Sequence, residues 1–343
     1  MNDLRIRYRY QSYYRSQLDL DQGWPQRLGI KGASNRAFPR ISVTNYMGLG
    51  NSVQEERQFN YDMWVRDHVL WVHGPHSFKA GLEARRLRKV MDTNANMSGS
   101  IGFSQLTTGL PGRSNTGNGL ASLLLGIPNS GAVSDADQLD RRTRYFAWFL
   151  QDEWKAPPRL AVNLGVRWEA LTPTTDGANR MSGFDFAPVN PVSGTPGVVT
   201  FAGRNGQPQS FYEGDYNDFA PRVGFAWRPF ASDRTVIRSG YGIFFGVPQI
   251  GPQTLVAGFG VDSSFTSPDN GVTPPFLLRD GFPRAGREEQ GPGFGAVKVG
   301  SLVWFAPEFV ERNRRTGYSQ HWNFGVQRDL GWRALLEVGY LAN

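Results

Sequence analysis

The 343-residue sequence contains no cysteine, which excludes a disulfide framework and thiolate metal sites and leaves an oxidising compartment permitted. It also lacks any run approaching the ~18 consecutive apolar residues of a membrane-crossing helix. A crossing strand passes that test, because only every second residue must be apolar and mean hydropathy can stay negative, as the value of -0.43 does here. The first residues, MNDLRIRYRYQSYY, carry no apolar core of an export signal. Lysine is scarce as well: it supplies only five of the 37 basic side chains. The net charge of +7 therefore rests on arginine, which suits anionic partners such as nucleic acid, lipid head groups or an acidic ligand. Four scattered histidines do not assemble a catalytic triad with any specificity, so no enzyme and no cofactor is expected.

What is present points to an all-β chain. Glycine (41) and proline (22) punctuate stretches rich in Tyr, Phe, Trp, Val and Ile. A unit of alternating stretch, short turn and second alternating stretch recurs four times. Its copies run from Glu56 to Arg88 around His73-Gly74-Pro75-His76, and from Arg141 to Glu169 around Ala156-Pro157-Pro158. The others run from Asp218 to Phe245 around Pro229 to Asp233, and from Tyr318 to Leu341 around Leu330-Gly331-Trp332. These are hairpin signals. Between them lie long connections near residues 93–137, 173–216 and 247–316, rich in Gly, Pro, Asn, Ser and Asp. Compact soluble domains rarely use several such connections, whereas outer-membrane barrels alternate short periplasmic turns with long outer loops.

The strands have two faces. In Leu160–Glu169 every even position is apolar and the odd ones carry Ala, Asn, Gly, Arg and Glu. Phe219, Val223, Phe225 and Trp227 likewise oppose Asp218, Arg222, Gly224 and Arg228, and Phe78, Ala80, Leu82 and Ala84 oppose Lys79, Gly81, Glu83 and Arg85. Trp322, Phe324 and Val326 oppose His321, Asn323, Gly325 and Gln327, and Leu336, Val338 and Tyr340 oppose Glu337 and Gly339. A soluble sheet packed on one side would alternate too. Runs of ten residues or more favour a bilayer, since ordinary strands average about 5–6. Trp71, Trp154, Trp227 and Trp332 also sit beside reversals, where a periplasmic aromatic girdle belongs. The expected lumen-facing polar residues are Lys79, Glu83, Arg85, Arg167, Glu169, Arg222, Arg238 and Glu337, with cross-strand ion pairing as their first role and ligand contact as a second. Tyr145–Leu150 is apolar on both faces and has no readable phase.

Several motifs carry less than they suggest. His73 and His76 have H-x-x-H spacing but flank a Gly-Pro turn, with no third ligand evident, so a turn role is expected. Asp135-Ala136-Asp137 and Asp19–Gly23 do not complete a calcium loop and read as solvated carboxylates. Gly240-Tyr241-Gly242 with Gly246 imitates a nucleotide fingerprint without a strand-to-helix transition, and small residues facing a crowded interior explain it better. Gly119–Gly126 reads as a short amphipathic helix or, more simply, as a packed loop segment. Arg5-Ile6-Arg7-Tyr8-Arg9-Tyr10 raises nucleic-acid binding, but the arginines are spread over many strands and loops rather than gathered in one patch.

Phe149–Lys155 followed by Leu160–Glu169 resembles the hairpin used repeatedly by TonB-dependent outer-membrane receptors, particularly large Oar-like ones with a carboxypeptidase-regulatory-like domain. Asn217–Trp227, Thr235–Phe245 and His76–Glu83 are further matches, and their order and spacing cover most of the chain. The resemblance implies residence in the bacterial outer membrane, contact with its lipid and lipopolysaccharide, and import of a bulky ligand of unknown identity. It implies coupling to a TonB-ExbB-ExbD complex through a plug. The expectation for residues 1–343 is a partial barrel of about nine or ten strands, without plug, signal peptide or closing C-terminal strand, against about 22 strands in a complete plugged transporter. A soluble all-β carbohydrate-binding or surface adhesion protein is the alternative.

Overall fold

A computed structural model of the chain describes all residues except 114, 157, 233, 247–249, 252–255, 284–287 and 297–307. Pro157 and Asp233 of two expected turns, and much of the 247–316 connection, thus lie outside the described residues.

Along the chain, β1 (Asn2–Ser16) precedes a connection holding α1 (Trp24–Arg27) and β2 (Arg40–Val43), then β3 (Val53–His73) and β4 (His76–Ala95) form a hairpin. The next connection holds β5 (Ser100–Phe103), a 3-10 turn (Gln105–Thr108), α2 (Gly119–Leu125) and β6 (Ser130–Ala136), and leads to β7 (Leu139–Ala156) and β8 (Leu160–Leu171). After β9 (Thr175–Asp176), β10 (Ser182–Val189) and β11 (Pro196–Phe201) come β12 (Asp218–Trp227) and β13 (Thr235–Phe245). Finally β14 (Gly260–Thr266) precedes the last hairpin, β15 (Tyr318–Gly331) and β16 (Ala334–Ala342).

One antiparallel sheet of ten strands forms the wall, ordered β1-β3-β4-β7-β8-β12-β13-β15-β16, with β9 paired to β7. All four expected hairpins are in it. The His73–His76 reversal is a two-residue turn whose first central residue, Gly74, has φ 56°, a conformation that costs glycine little and other residues much. Every short turn lies at one edge of the wall and every long connection at the other, the turn end and the loop end below.

Register fixes the faces. Leu150 pairs with Val166 and Val166 with Pro221, so Phe146, Trp148 and Leu150 join the apolar face while Tyr145, Ala147 and Phe149 join the polar one. Phe149 turns to the polar face because Gly81 lies opposite it. A Cβ on Gly81 would come within 2.5 Å of the Phe149 ring. The same alternation puts Arg5, Arg7 and Arg9 of β1 on the polar face and Ile6, Tyr8 and Tyr10 on the other. Asp67 and Asp152 interrupt the apolar face, and each has a hydrogen bond there, from Asn2 Nδ2 at 2.9 Å and with His76 Nδ1 at 2.7 Å.

The longest strands outrun a bilayer. β3 has 21 residues and β4 has 20, against the ~9–11 a tilted strand needs to cross. On the apolar face of β4, Phe78, Ala80, Leu82 and Ala84 give way to Arg86 and Arg88. Beyond that point burial begins instead: Leu87, Val90, Gln54, Glu55 and Arg141 are all buried near the loop end.

They are buried by structure that the connections build for themselves. β14, β6, β5 and β2 form a second, four-stranded sheet in that order, with β2 and β5 parallel. Ile30, Val43, Ile101, Phe103, Phe276 and Phe282 form its core, drawn from three connections. β10 and β11 pair as a separate hairpin, over Val199, Phe201 and Phe259. Gly119–Leu125 is a helix rather than a plain loop segment: Asn118 accepts from Leu120 N at its start, and Gly126, φ 67°, ends it.

Candidate functional site

All eight expected polar residues share the polar face of the wall. At its centre Arg167 ties three strands together. Its Nη2 donates to Glu83 Oε2 at 3.0 Å and to the Tyr145 hydroxyl at 2.8 Å, and its Nε to Glu169. Trp64 Nε1 donates to the other Glu83 oxygen at 2.7 Å. Arg85 reaches Asp62 at 3.0 Å, with Arg9 behind it at 3.7 Å. The ladder thus includes Glu83, Arg85, Arg167 and Glu169, and recruits Asp62, Trp64, Tyr145 and Arg9, which sequence reasoning missed although the alternation of β1 and β3 carries all but Tyr145.

Among the described residues, Lys79, Arg222, Arg238 and Glu337 enter no ion pair. Lys79 and Arg222 lie on one cross-strand row with Gln151, Gly165, Gly242 and His321. Arg222 stacks over the Phe244 ring, 4.5 Å from its centroid. Gly240 and Gly242 leave room for neighbours, since a Cβ on either would stand 3.1 Å from Asn323 or Phe244. Gly165 and Gly224 similarly floor a hollow of about 390 Å³ walled by Phe149, Gln151, Arg167 and Arg222.

At the turn end, Trp71, Trp154 and Trp227 lie on the apolar face, and Trp332 stands at the tip of the last turn, 97% exposed. Rings stack in series there: His73 on Trp71, Trp71 on Phe78, Phe78 on His76 and His76 on Trp154, at centroid separations of 5.4–5.8 Å. The two histidines therefore serve the stack and the Asp152 contact, and no group of three metal-ligating side chains occurs among the described residues.

At the loop end, Arg36 clamps the first connection to β3. It pairs with Asp21 at 3.0 Å and with Glu55 at 2.6 Å, and Arg57 completes the Glu55 site. The Arg36 hydrogen bond holds the Asp21 carboxyl below the usual carboxylate range. Asp135 and Asp19 belong to no metal group either. Two adjoining hollows open here, of about 870 and 480 Å³, sharing Tyr212, Glu213 and Gly214 as a common wall.

Solved structures similar to the chain include the outer membrane transporter YddB from Escherichia coli, 11% identical, covering 99% of this chain and 31% of that one at a TM-score of 0.49. The ferric-catecholate import receptor Fiu from E. coli K12, in its open form, is 13% identical over 99% of this chain and 44% of that one, at 0.37. The chain spans less than half the length of either. No curated protein matches it. The model of the outer membrane beta barrel domain matches residues 1–343. An antiparallel wall with one apolar and one polar face, matched from end to end by that model, belongs to the outer membrane beta-barrel domain family and resides in the bacterial outer membrane.

Proposed function

We propose that the chain is part of the barrel wall of a TonB-dependent receptor that imports a bulky ligand, with the polar face toward the lumen, the short turns in the periplasm and the loop end outside. The observation that carries this reading is the polar face itself. It combines a structural ladder around Arg167 with cations at Lys79, Arg222 and Arg238 that the wall leaves unpaired. Such groups suit a lumen that receives a plug or a passing solute, and polar interiors are the rule in these barrels. On this reading Trp71, Trp154, Trp227 and Trp332 form the periplasmic girdle, lipid and lipopolysaccharide meet the apolar face, and TonB-ExbB-ExbD acts through a plug. A soluble carbohydrate-binding protein does not fit residence in the outer membrane.

These 343 residues contain no cysteine, which allows a direct test in cells, in the complete protein with any cysteine elsewhere replaced by serine. Cysteine at Lys79 or Arg222 should react with a charged, water-soluble maleimide, and cysteine at Leu164 or Val223 should not. Uptake of the ligand should stop when TonB is inactivated. Equal labelling of both faces would sink the lumen assignment, and uptake indifferent to TonB would sink the energy coupling.

A further inference from the structure

The larger hollow at the loop end is walled by aromatic rings from three segments: Phe184 and Phe186 of β10, Phe211, Tyr212 and Tyr216 of the connection before β12, and Phe309. Phe186 meets Phe184 and Phe309 edge to face, at 5.0 and 4.9 Å between centroids. Yet Phe186 and Phe309 remain 58% and 56% exposed, so these rings line the cavity instead of filling it. Its volume of about 870 Å³ lies within the ~300–1,000 Å³ range of small-molecule sites, which are mostly apolar with a few placed polar groups.

The charged groups among them are mainly acidic. Asp185, Glu213 and Glu311 line the aromatic hollow against one cation, Arg312. Glu169, Glu213, Asp215 and Asp218 line the adjoining one against Arg314. Some of these charges are already spent: Arg312 takes Glu213, Arg315 takes Asp215 and Arg167 takes Glu169, while Arg314 sits over Tyr212. Asp185, Glu311 and Asp218 are left with no ion pair among the described residues. Asp218 is nearly fully buried. Aromatic faces attract cations, and the surplus carboxylates act in the same direction.

We infer that the paired hollow is the binding site for an organic cation with an aromatic or otherwise apolar body, its rings among Phe186 and Phe309 and its charge toward Glu311 and the acidic hollow. The inference rests on the loop end being the ligand-facing side. The test uses the complete protein in lipid nanodiscs and three probes of one skeleton: phenylalanyl-phenylalanine amide (a cation), its N-acetylated form (neutral) and the N-acetylated free acid (an anion). Calorimetry should show the cation binding at least tenfold tighter than the neutral form, with the anion weakest. Phe186→Ala and Phe309→Ala, both at exposed rings, should each weaken the cation about tenfold. Glu311→Gln should narrow the gap between cation and neutral probe without weakening the neutral one. Absence of cation binding, equal binding of all three, or indifference to both ring truncations would overturn the site. Binding that persists while no TonB-dependent uptake is found would keep the site and refute the import reading instead.

Discussion

Replacing Arg167 by methionine should destabilise the wall by about 3–5 kcal/mol. Methionine preserves the stem but removes the guanidinium, so Glu83 and Glu169 lose their shared cation. Their side chains are 17% and 15% exposed, and that of Arg167 is 18% exposed, so water can replace little of what is lost. Two charge-assisted hydrogen bonds contribute about 1.5–3 kcal/mol each and the Tyr145 hydroxyl about 1, offset by roughly 1–2 from burial of the new thioether. That agrees with the ~3–5 kcal/mol typical of removing one partner from a buried pair. Urea unfolding of the complete protein in lipid, followed by circular dichroism, measures the loss. The triple variant Arg167→Met, Glu83→Gln and Glu169→Gln should recover at least half of it, because the neutral amides no longer need a cation. A single-variant loss below about 1 kcal/mol, or a triple variant less stable than the single one, would refute the reasoning and make the network a solvated surface.

Gly81→Ala should cost about 1–3 kcal/mol by overpacking, since its Cβ would meet both the Phe149 ring at 2.5 Å and the Asp67 carbonyl oxygen at 2.8 Å. Adding Phe149→Leu should restore only part of that in thermal unfolding. Arg36→Met leaves Glu55, 1% exposed, with Arg57 alone, at a cost of about 1–3 kcal/mol. Limited proteolysis should then cut the connection at residues 17–52 first, and an unchanged cleavage pattern would contradict the clamp. Asn118→Ala should weaken α2 by about 1 kcal/mol, seen as faster hydrogen exchange at Leu120, whose amide the side chain caps. Because the folded Asp21 carboxyl is held below its ordinary value, its pairing with Arg36 adds stability above the unfolded value of about 3.9. That contribution fades as pH falls through the lower folded value. A carboxyl NMR titration should place the Asp21 midpoint below 3.9, and a midpoint at or above it would remove the contact's electrostatic role.

The wall was legible because each hairpin repeats a two-residue period across a turn whose chemistry is local. Gly74, Gly331 and the flanking tryptophans are enough to locate the reversals. Tyr145–Leu150 was illegible for the opposite reason: its phase depends on Gly81 and Arg167, distant residues that make room for Phe149 and bond the Tyr145 hydroxyl. The second sheet was hidden likewise, since Ile30, Ile101 and Phe276 meet only after three connections fold together. For α2 the signal existed, in Asn118 before an apolar run and Gly126 after it. Of the polar site, alternation placed the eight side chains on one face, but which of them pair depends on strand register and side-chain reach. Arg167 crosses β7 to Glu83 on β4, a contact no nearest-neighbour rule anticipates.

With the apolar face toward lipid, as proposed, the long strands of the first hairpin expose a single polypeptide ribbon to two solvents in succession. Mutational tolerance along the outward side of β4 should therefore act as a depth gauge. In that orientation a charge introduced at Leu82 competes with hydrocarbon, whereas Arg86, four residues on, is itself a charge. Natural variation in such a strand would switch its permitted alphabet between Ala84 and Arg86. The waterline of the membrane would then be recorded in which substitutions descend to later generations.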